Sequence, residues 1–470
     1  MMDFETEYIE EPSLKFKTGE AKDPRAGLME YGPWTPGSSG HNEIKIGLIG
    51  TNRSISAVKG LLQEMETVIP RNSEEVKRHQ PPFPSMGPNS PFEASFVLMD
   101  RHQSEFTRRD LDHITQHDSP SKNVGILLDQ MDKRLQILKR RNDPPPDVVI
   151  VAIPEEIEDA CTSSGVNKAK MKDGPTDFHD RIKTFGLKYD VPTQLIRPAS
   201  VHFDGTGQSK AEVAWNLSVG LLYKSREGKP WKVADLAEDT CYAGISFYRE
   251  RHGDRSKAHA SLAQVFLDTG ESFVVWGDPA IKDDSKSNYH LTKDSAEDIV
   301  TQILDQYTMN KPRPERLVLH KTSRFHDEEK EGFLNAASDI PKLDFVTIRE
   351  GDGIRLFPSG DYPPLRGTVL HPRNTNKYFL YTQGYVPSLE TYPGPRIPTP
   401  ITVELDPDIN HTSYREICRE ILSFTKLDWN TSSFCKKQPV TIKVARSVGA
   451  ILAESKNRGI DVQPQYYYYM

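Results

Sequence analysis

The sequence predicts an α/β protein of two units, a Rossmann-like domain followed by a second α/β domain with a mixed sheet. Three observations carry this. The chain has 470 residues, too long for one compact core and suited to two domains of ordinary size. Its first half alternates buried-strand patterns with amphipathic-helix patterns, the order of a parallel sheet with crossover helices. Its second half opens on three strand-like runs in succession and only then alternates helix with strand.

Residues 1–40 are rich in Gly and Pro and weakly periodic, and are set apart as an N-terminal segment. EIKIGLIG (43–50) is an apolar strand run, and Asn52 or Ser54 is placed to cap the helix that follows. In that helix Ile55, Val58, Leu61, Leu62 and Met65 share one face. Residues 69–92 carry six prolines and form a loop. FEASFVLMD (92–100) is the next strand, NVGILLDQMDKRLQILKRR (123–141) an amphipathic helix stopped by three prolines, and DVVIVAIP (147–154) a third strand. The first domain is placed at 41–232 and the second at 233–470. In the latter, strands are expected at 241–250, 259–268 and 271–277, then a helix over 293–308. Strand 316–321, helix 326–338 and strand 343–350 follow, then GTVLHP and KYFLYTQGYVP, and helices over 412–425 and 445–456. This is the strand and helix order of an RNase H-like domain. No internal repeat is present.

Composition narrows the function classes. Hydrophobic residues at 36% and charged residues at 27% describe a soluble globular chain, and no apolar run nears the ~20 residues that span a bilayer. The acidic start MMDFETEYIEEPSLKF lacks the layout of a signal peptide. Cys161, Cys241, Cys418 and Cys435 lie far apart, which speaks against a zinc or disulfide framework and for a reduced, cytoplasmic protein. A net charge of −7 argues against indiscriminate nucleic-acid coating but allows a local basic channel. GLIG is not G-x-G-x-x-G and no Walker A sequence occurs, so dinucleotide or NTP chemistry is weakly supported.

The stretch from His179 to Lys224 is locally basic. Residues 179–232 hold nine Lys/Arg against five Asp/Glu. His179 and Lys183 are four apart and share a helix face. Thr176 is a candidate cap, which would put both within the first two turns, where free N–H groups and the positive dipole end favour an anion. Gln194 follows on the extended run PTQLIR, and Lys224 closes a helix beginning near Ser209. One ring donor, two ammonium groups and an amide suit a terminal phosphate. Singly, each reads as well as a solvated polar residue.

Taken together, His179-x3-Lys183, Gln194, Asn216 and Lys224 resemble the guide 5′-phosphate pocket of Argonaute MID domains, with His179 where many members carry Tyr. GKPWKV (228–233) resembles the junction between the MID and PIWI domains of prokaryotic Argonautes. ILSFTKLDWNTSSFCKKQPVTIKVARSVGAIL is similar to the C-terminal run of PIWI domains. EPSLKFKTGEAKDPRAGLMEYGPW resembles the start of short Argonautes, which lack N and PAZ domains. The resemblance implies a MID domain followed by an RNase H-like PIWI domain.

RNase H-type cleavage needs carboxylates around two divalent ions. In catalytic PIWI domains the first Asp follows a Gly-hydrophobic pair, and here Gly244-Ile245 is followed by Ser246. The next is replaced at Lys321-Thr322, and the last at Arg446 after Ala445. The fourth ligand, a Glu, is not placed by sequence. A shifted register using Glu250, Asp254 or Asp327 is the alternative, and would make the chain an active guide-dependent endonuclease. The expectation here is a PIWI domain without catalysis of its own.

Six Lys/Arg and one Glu between 435 and 458 read either as a solvated face or as a groove for phosphates. Lys436, Lys437, Lys443, Arg446 and Arg324 are its candidates, with Arg366 and Arg373 as further ones. The tail Tyr466–Tyr469 reads as a strand or an aromatic plug. By the same resemblance the Met470 carboxylate, with Gln194, would hold Mg2+ at the guide phosphate. His320 and His326 have no ligand spacing and read as surface or cap residues. Short Argonautes of this kind imply a 5′-phosphorylated guide RNA and a complementary single-stranded DNA target. They also imply a heterodimeric partner that joins an APAZ region to a Sir2 or TIR NADase, with a higher oligomer on target binding left open. A metabolic enzyme on a Rossmann-like sheet and a scaffold with a vestigial pocket remain as rivals.

Overall fold

The computed structural model describes residues 4–34, 42–71, 80–141, 143–162, 178–202, 208–225, 228–248, 259–267, 272–278, 280–282, 289–309, 311–351, 353–392, 397–443 and 445–470. A first strand, β1 (Phe4–Tyr8), precedes the Rossmann-like half. That half runs β2 (Asn42–Gly50), α1 (Asn52–Glu64), β3 (Ala94–Glu105), α2 (Pro120–Lys139), β4 (Val148–Ala152), α3 (Phe178–Tyr189), β5 (Thr193–Ile196) and α4 (Lys210–Lys224). Its four strands are parallel in the order β3-β2-β4-β5. The central β4 is buried along its whole length, which explains its unbroken apolar sequence.

The helix after β2 is capped one residue before Asn52, the first of the two expected caps. Thr51 is its cap, and the Thr51 and Ser54 side chains each accept from the other's backbone N–H. Ser54 also donates to the Ala152 carbonyl at 3.0 Å, tying α1 to β4. The predicted apolar face is buried as expected.

The second half runs β6 (Thr240–Tyr248), β7 (His259–Leu267), β8 (Ser272–Trp276), α5 (Lys293–Thr308), β9 (Arg316–Lys321), α6 (Asp327–Ala336) and β10 (Lys342–Glu350). Then follow β11 (Thr368–Pro372), β12 (Lys377–Leu380), β13 (Ile401–Asn410), α7 (Tyr414–Phe424), α8 (Val440–Lys443) and α9 (Ala445–Asn457). The sheet has nine strands in the order β1-β11-β12-β13-β10-β9-β6-β7-β8. β6, β7 and β8 are antiparallel neighbours, and β9 joins β6 in parallel. Helix α8 crosses β6 so closely that a Cβ at Gly244 would sit 1.8 Å from the Thr441 carbonyl oxygen, so only glycine fits there.

Two features lay outside the sequence reading. The run ITVELDPDIN is strand β13, and the N-terminal segment is built into the body of the protein. β1 pairs with β11, and Leu14-Lys15 pairs with Lys232-Val233 beside the junction. The buried Glu11 carboxylate reaches Arg366 at 2.7 Å and Lys426 at 2.6 Å. Trp231 of the junction is fully buried and donates to the Lys426 carbonyl at 2.9 Å.

The halves meet along α3 and α9. Thr184 donates to the Ile451 carbonyl at 3.2 Å, and Arg181 pairs with Glu454 at 2.8 Å. The terminal tyrosines pack into this seam as a buried single turn rather than a strand. Among the described residues, no helix is long and apolar enough to cross a membrane.

Candidate nucleic-acid interface

Helix α3 carries His179 in its first turn and Lys183 in its second. Thr176 lies outside the described residues. Lys183 is buried at 4% exposure and donates to the Tyr469 carbonyl at 3.4 Å. Gln194 sits on β5, and Lys224 is the last residue of α4, capped at its other end by Ser209. Lys224 is 1% exposed, and its Nζ donates to Gln194 Oε1 at 2.6 Å and to the Thr193 carbonyl at 3.1 Å. Met470, the residue after Tyr469, is 1% exposed. Lys183, Gln194, Lys224 and the terminal residues are therefore brought together at the seam between the halves.

The electrostatics of this cluster are uneven. Burial, reinforced by the charge of Lys183, drives the Lys224 ammonium well below the usual lysine range. Its partners are a carbonyl and an amide oxygen, with no carboxylate among the described residues. Asp180, which the sequence reading missed, lies 3.1 Å from His179 Nδ1 and 3.8 Å from Lys183 Nζ. Burial opposes its charge, yet the His179 hydrogen bond and the charges of Lys183, His179 and Arg197 hold its carboxyl below the ordinary aspartate range. The signal was present, since Asp180 stands next to His179 and three residues before Lys183, a helix-face spacing.

Asn216 is engaged elsewhere. Its Oδ1 accepts from the Ser432 N–H at 2.9 Å and from the Ser432 and Thr431 hydroxyls at 3.0 and 3.2 Å. It locks α4 to the 431–432 loop.

The basic channel candidates are mostly paired. Arg324 lies 3.3 Å from Glu404, Lys437 3.8 Å from Glu350, and Lys443 pairs with Asp428. Lys436 is half-buried, with its ammonium pushed down by burial above all. Arg446 begins α9, but its side chain lies outside the described residues. Arg373 is exposed and lies 3.0 Å from Glu5. Arg366 corrects the expectation. It is 2% exposed and bound to Glu11, Thr425 and two backbone carbonyls, so it is a core cation.

In the interior of the nine-stranded sheet, Lys321 of β9 pairs with Ile245 of β6 in the parallel ladder. Thr322 and Ser246 are the residues that follow this last pair of the ladder. Ser246 is 7% exposed and its Oγ is a buried hydroxyl with no partner. Next to them Lys321 and Glu329, both fully buried, form an ion pair. His320 is not a surface residue. It is 1% exposed, bonded through Nδ1 to Thr441 at 2.9 Å, and burial pushes its pKa down to about 3. His326 caps α6 as expected. Asp327 is exposed in the first turn of α6, whereas Glu250 and Asp254 lie outside the described residues. The Cys161 and Cys418 thiols are pushed up to about 12 by burial, which makes them poor nucleophiles.

No family profile matches the chain, and no curated protein does. Solved structures do. Clostridium butyricum Argonaute, bound to a guide DNA and a 19-mer target DNA, matches at a TM-score of 0.66 and 15% identity, over 96% of this chain and 53% of that one. Drosophila Piwi matches at 0.60 and 13%, over 99% and 56%. Marinitoga piezophila Argonaute, in complex with a 5′-OH guide RNA, matches at 0.57 and 14%, over 99% and 59%. The chain thus spans little more than half the length of these structures. At such identities the likeness is one of fold, and the chain has the α/β, MID–PIWI-like fold found in Argonaute and Piwi proteins.

Proposed function

We propose that this chain holds a 5′-phosphorylated guide RNA through His179, Lys183, Gln194 and Lys224 and presents it for pairing with complementary single-stranded DNA. The observation that carries this reading is Lys224, a buried amine near Lys183 whose partners among the described residues are neutral oxygens. Burial and the neighbouring Lys183 disfavour the charged form of Lys224, and a phosphate dianion beside both amines reverses that cost. Fold likeness to proteins solved with guide and target strands supports it. In this reading base pairing supplies the specificity and the protein grips backbone.

Mg2+ fits the same site conditionally. The Gln194 amide oxygen and the Met470 carboxylate are hard donors, and a metal there would offset phosphate charge. Gln194 Oε1 already accepts from Lys224, so Mg2+ would have to arrive with the phosphate.

On this reading the second half cleaves nothing, because Ser246, Thr322 and Arg446 offer no carboxylate to a catalytic metal. The chain then acts as the nucleic-acid-binding subunit of a prokaryotic defence complex against plasmid or phage DNA. Its heterodimeric partner is an APAZ protein with a Sir2 or TIR effector, which depletes NAD once a target is bound and aborts the infection. Resemblance of the sequence to short Argonautes supports this part.

The test is equilibrium binding of a ~20-nucleotide RNA with and without its 5′-phosphate. Wild type should prefer the phosphate by about ten- to a hundredfold, and Lys183→Ala/Lys224→Ala should lose that preference. Equal binding of both RNAs by wild type overturns the reading. With the partner present, NAD consumption on adding complementary DNA tests the effector step. Target cutting with Mg2+ or Mn2+ would contradict the inactive assignment.

A further inference from the structure

Beside the replaced catalytic positions, three metal-ligating side chains from two separate stretches converge. His290 lies in a short strand, Tyr289–His290, that precedes α5. His326 and Glu328 belong to the start of α6. One donor atom from each lies within 4.8 Å of the other two. The imidazole rings stack with centroids 4.1 Å apart and planes at 15°. We propose that His290, His326 and Glu328 bind one transition-metal ion of the zinc class, with water completing a tetrahedral shell.

Two features outside the triad support this. His290 Nδ1 lies 3.0 Å from the Leu291 carbonyl, an acceptor that fixes the N–H at Nδ1. That leaves the Nε2 lone pair for a metal, the arrangement usual for ligating histidines. The second feature is Glu329. Its buried carboxylate accepts from the Leu291 N–H at 2.9 Å and from the His326 N–H at 2.8 Å, and it also pairs with Lys321. One carboxylate therefore holds the backbone of both histidine-bearing stretches in place.

The donor set selects the metal. Two imidazoles and a carboxylate suit Zn2+ or Co2+ over Mg2+, which prefers an all-oxygen octahedron. Tetrahedral bonds of about 2.0–2.1 Å require donors closer together than 4.8 Å, the separation within which these three lie. His326 and Glu328 are exposed, while His290 is buried and is the fixed point. A bound ion would clip the strand before α5 to the first turn of α6, a link that does not use the seam pocket.

The test uses the full chain stripped with a chelator and then titrated with Co2+ or Zn2+ alone. One equivalent of Co2+ should give the intense visible bands of a tetrahedral site, and one equivalent of Zn2+ should remove them and raise the Tm. Excess Mg2+ should do neither. His326→Ala and Glu328→Gln change exposed side chains, so both should fold, and each should weaken Co2+ binding about tenfold or more. Restoring a ligand with His326→Cys should bring the bands back, shifted by thiolate coordination. The proposal is overturned if wild type shows no tetrahedral Co2+ spectrum, or if His326→Ala/Glu328→Gln binds the metal as wild type does.

Discussion

Two buried lysines, Lys224 and Lys321, divide the molecule's chemistry between them. Both are 1% exposed or less, and burial pushes both ammonium groups below the usual lysine range. Lys321 has a carboxylate to offset that cost. Glu329 pairs with it, and the same carboxylate organises two backbone stretches. Lys224 instead faces a second cation and is held by neutral oxygens. A buried charge with its counter-ion completes a structure, whereas one beside a like charge is left short of an anion. By this criterion the seam is where an anion belongs, while Lys321 needs none beyond Glu329.

The comparison can be broken at either lysine. The largest expected effect is at the completed pair. Glu329→Ala strands Lys321 and frees two backbone N–H groups, so it should cost about 3–5 kcal/mol in chemical denaturation. An unchanged midpoint would show that the pair is no structural element. Next comes the seam, where Lys183→Ala/Lys224→Ala should remove roughly 1.5–3 kcal/mol of phosphate-dependent RNA binding. The same change should leave the Tm equal or higher, because it relieves a repulsion.

His320 sharpens the contrast through pH. Its folded pKa of about 3 lies below the ordinary 6.5, so the unfolded chain binds the proton first. Its contribution is complete above 6.5 and lost progressively as the pH falls from there toward 3. His320→Gln should flatten the acid limb of a stability-versus-pH curve, and an unaltered limb would contradict the assignment. The smallest effect is expected at the rim. Lys437→Ala and Lys443→Ala remove cations already paired with Glu350 and Asp428, so each should weaken RNA binding by less than about 1 kcal/mol, whatever its 5′ end.

Much of this was legible because local physics dominates it. The strand-helix alternation, a helix start near Ser209 and the placement of Lys183, Gln194 and Lys224 on a helix, a strand and a second helix all follow from periodicity. What escaped depends on contacts distant in sequence. Nothing in FETEY announces a partner more than 350 residues away, yet β1 pairs with β11. Arg366 looks like any loop arginine until Glu11 folds onto it. Asn216 shares a helix with Lys224, but its carbonyl is claimed by Ser432 from the other half. His290 and His326 are 36 residues apart, and only the stacking of their rings makes them a pair.

The central claim is that Lys224 awaits an anion, and proton counting tests it most directly. Calorimetric titrations in buffers of different ionisation enthalpy report the protons taken up on binding. Above pH 8 a terminal phosphate is already a dianion, its second pKa being about 6, so uptake there reports on the protein. The phosphate should move the depressed Lys224 back toward the ordinary lysine range, which favours its protonated form. Proton uptake should therefore accompany binding of 5′-phosphorylated RNA, vanish with 5′-hydroxyl RNA and vanish again in Lys224→Met. Affinity for the phosphorylated RNA should fall as the pH rises. The same proton count for both RNAs would contradict the account.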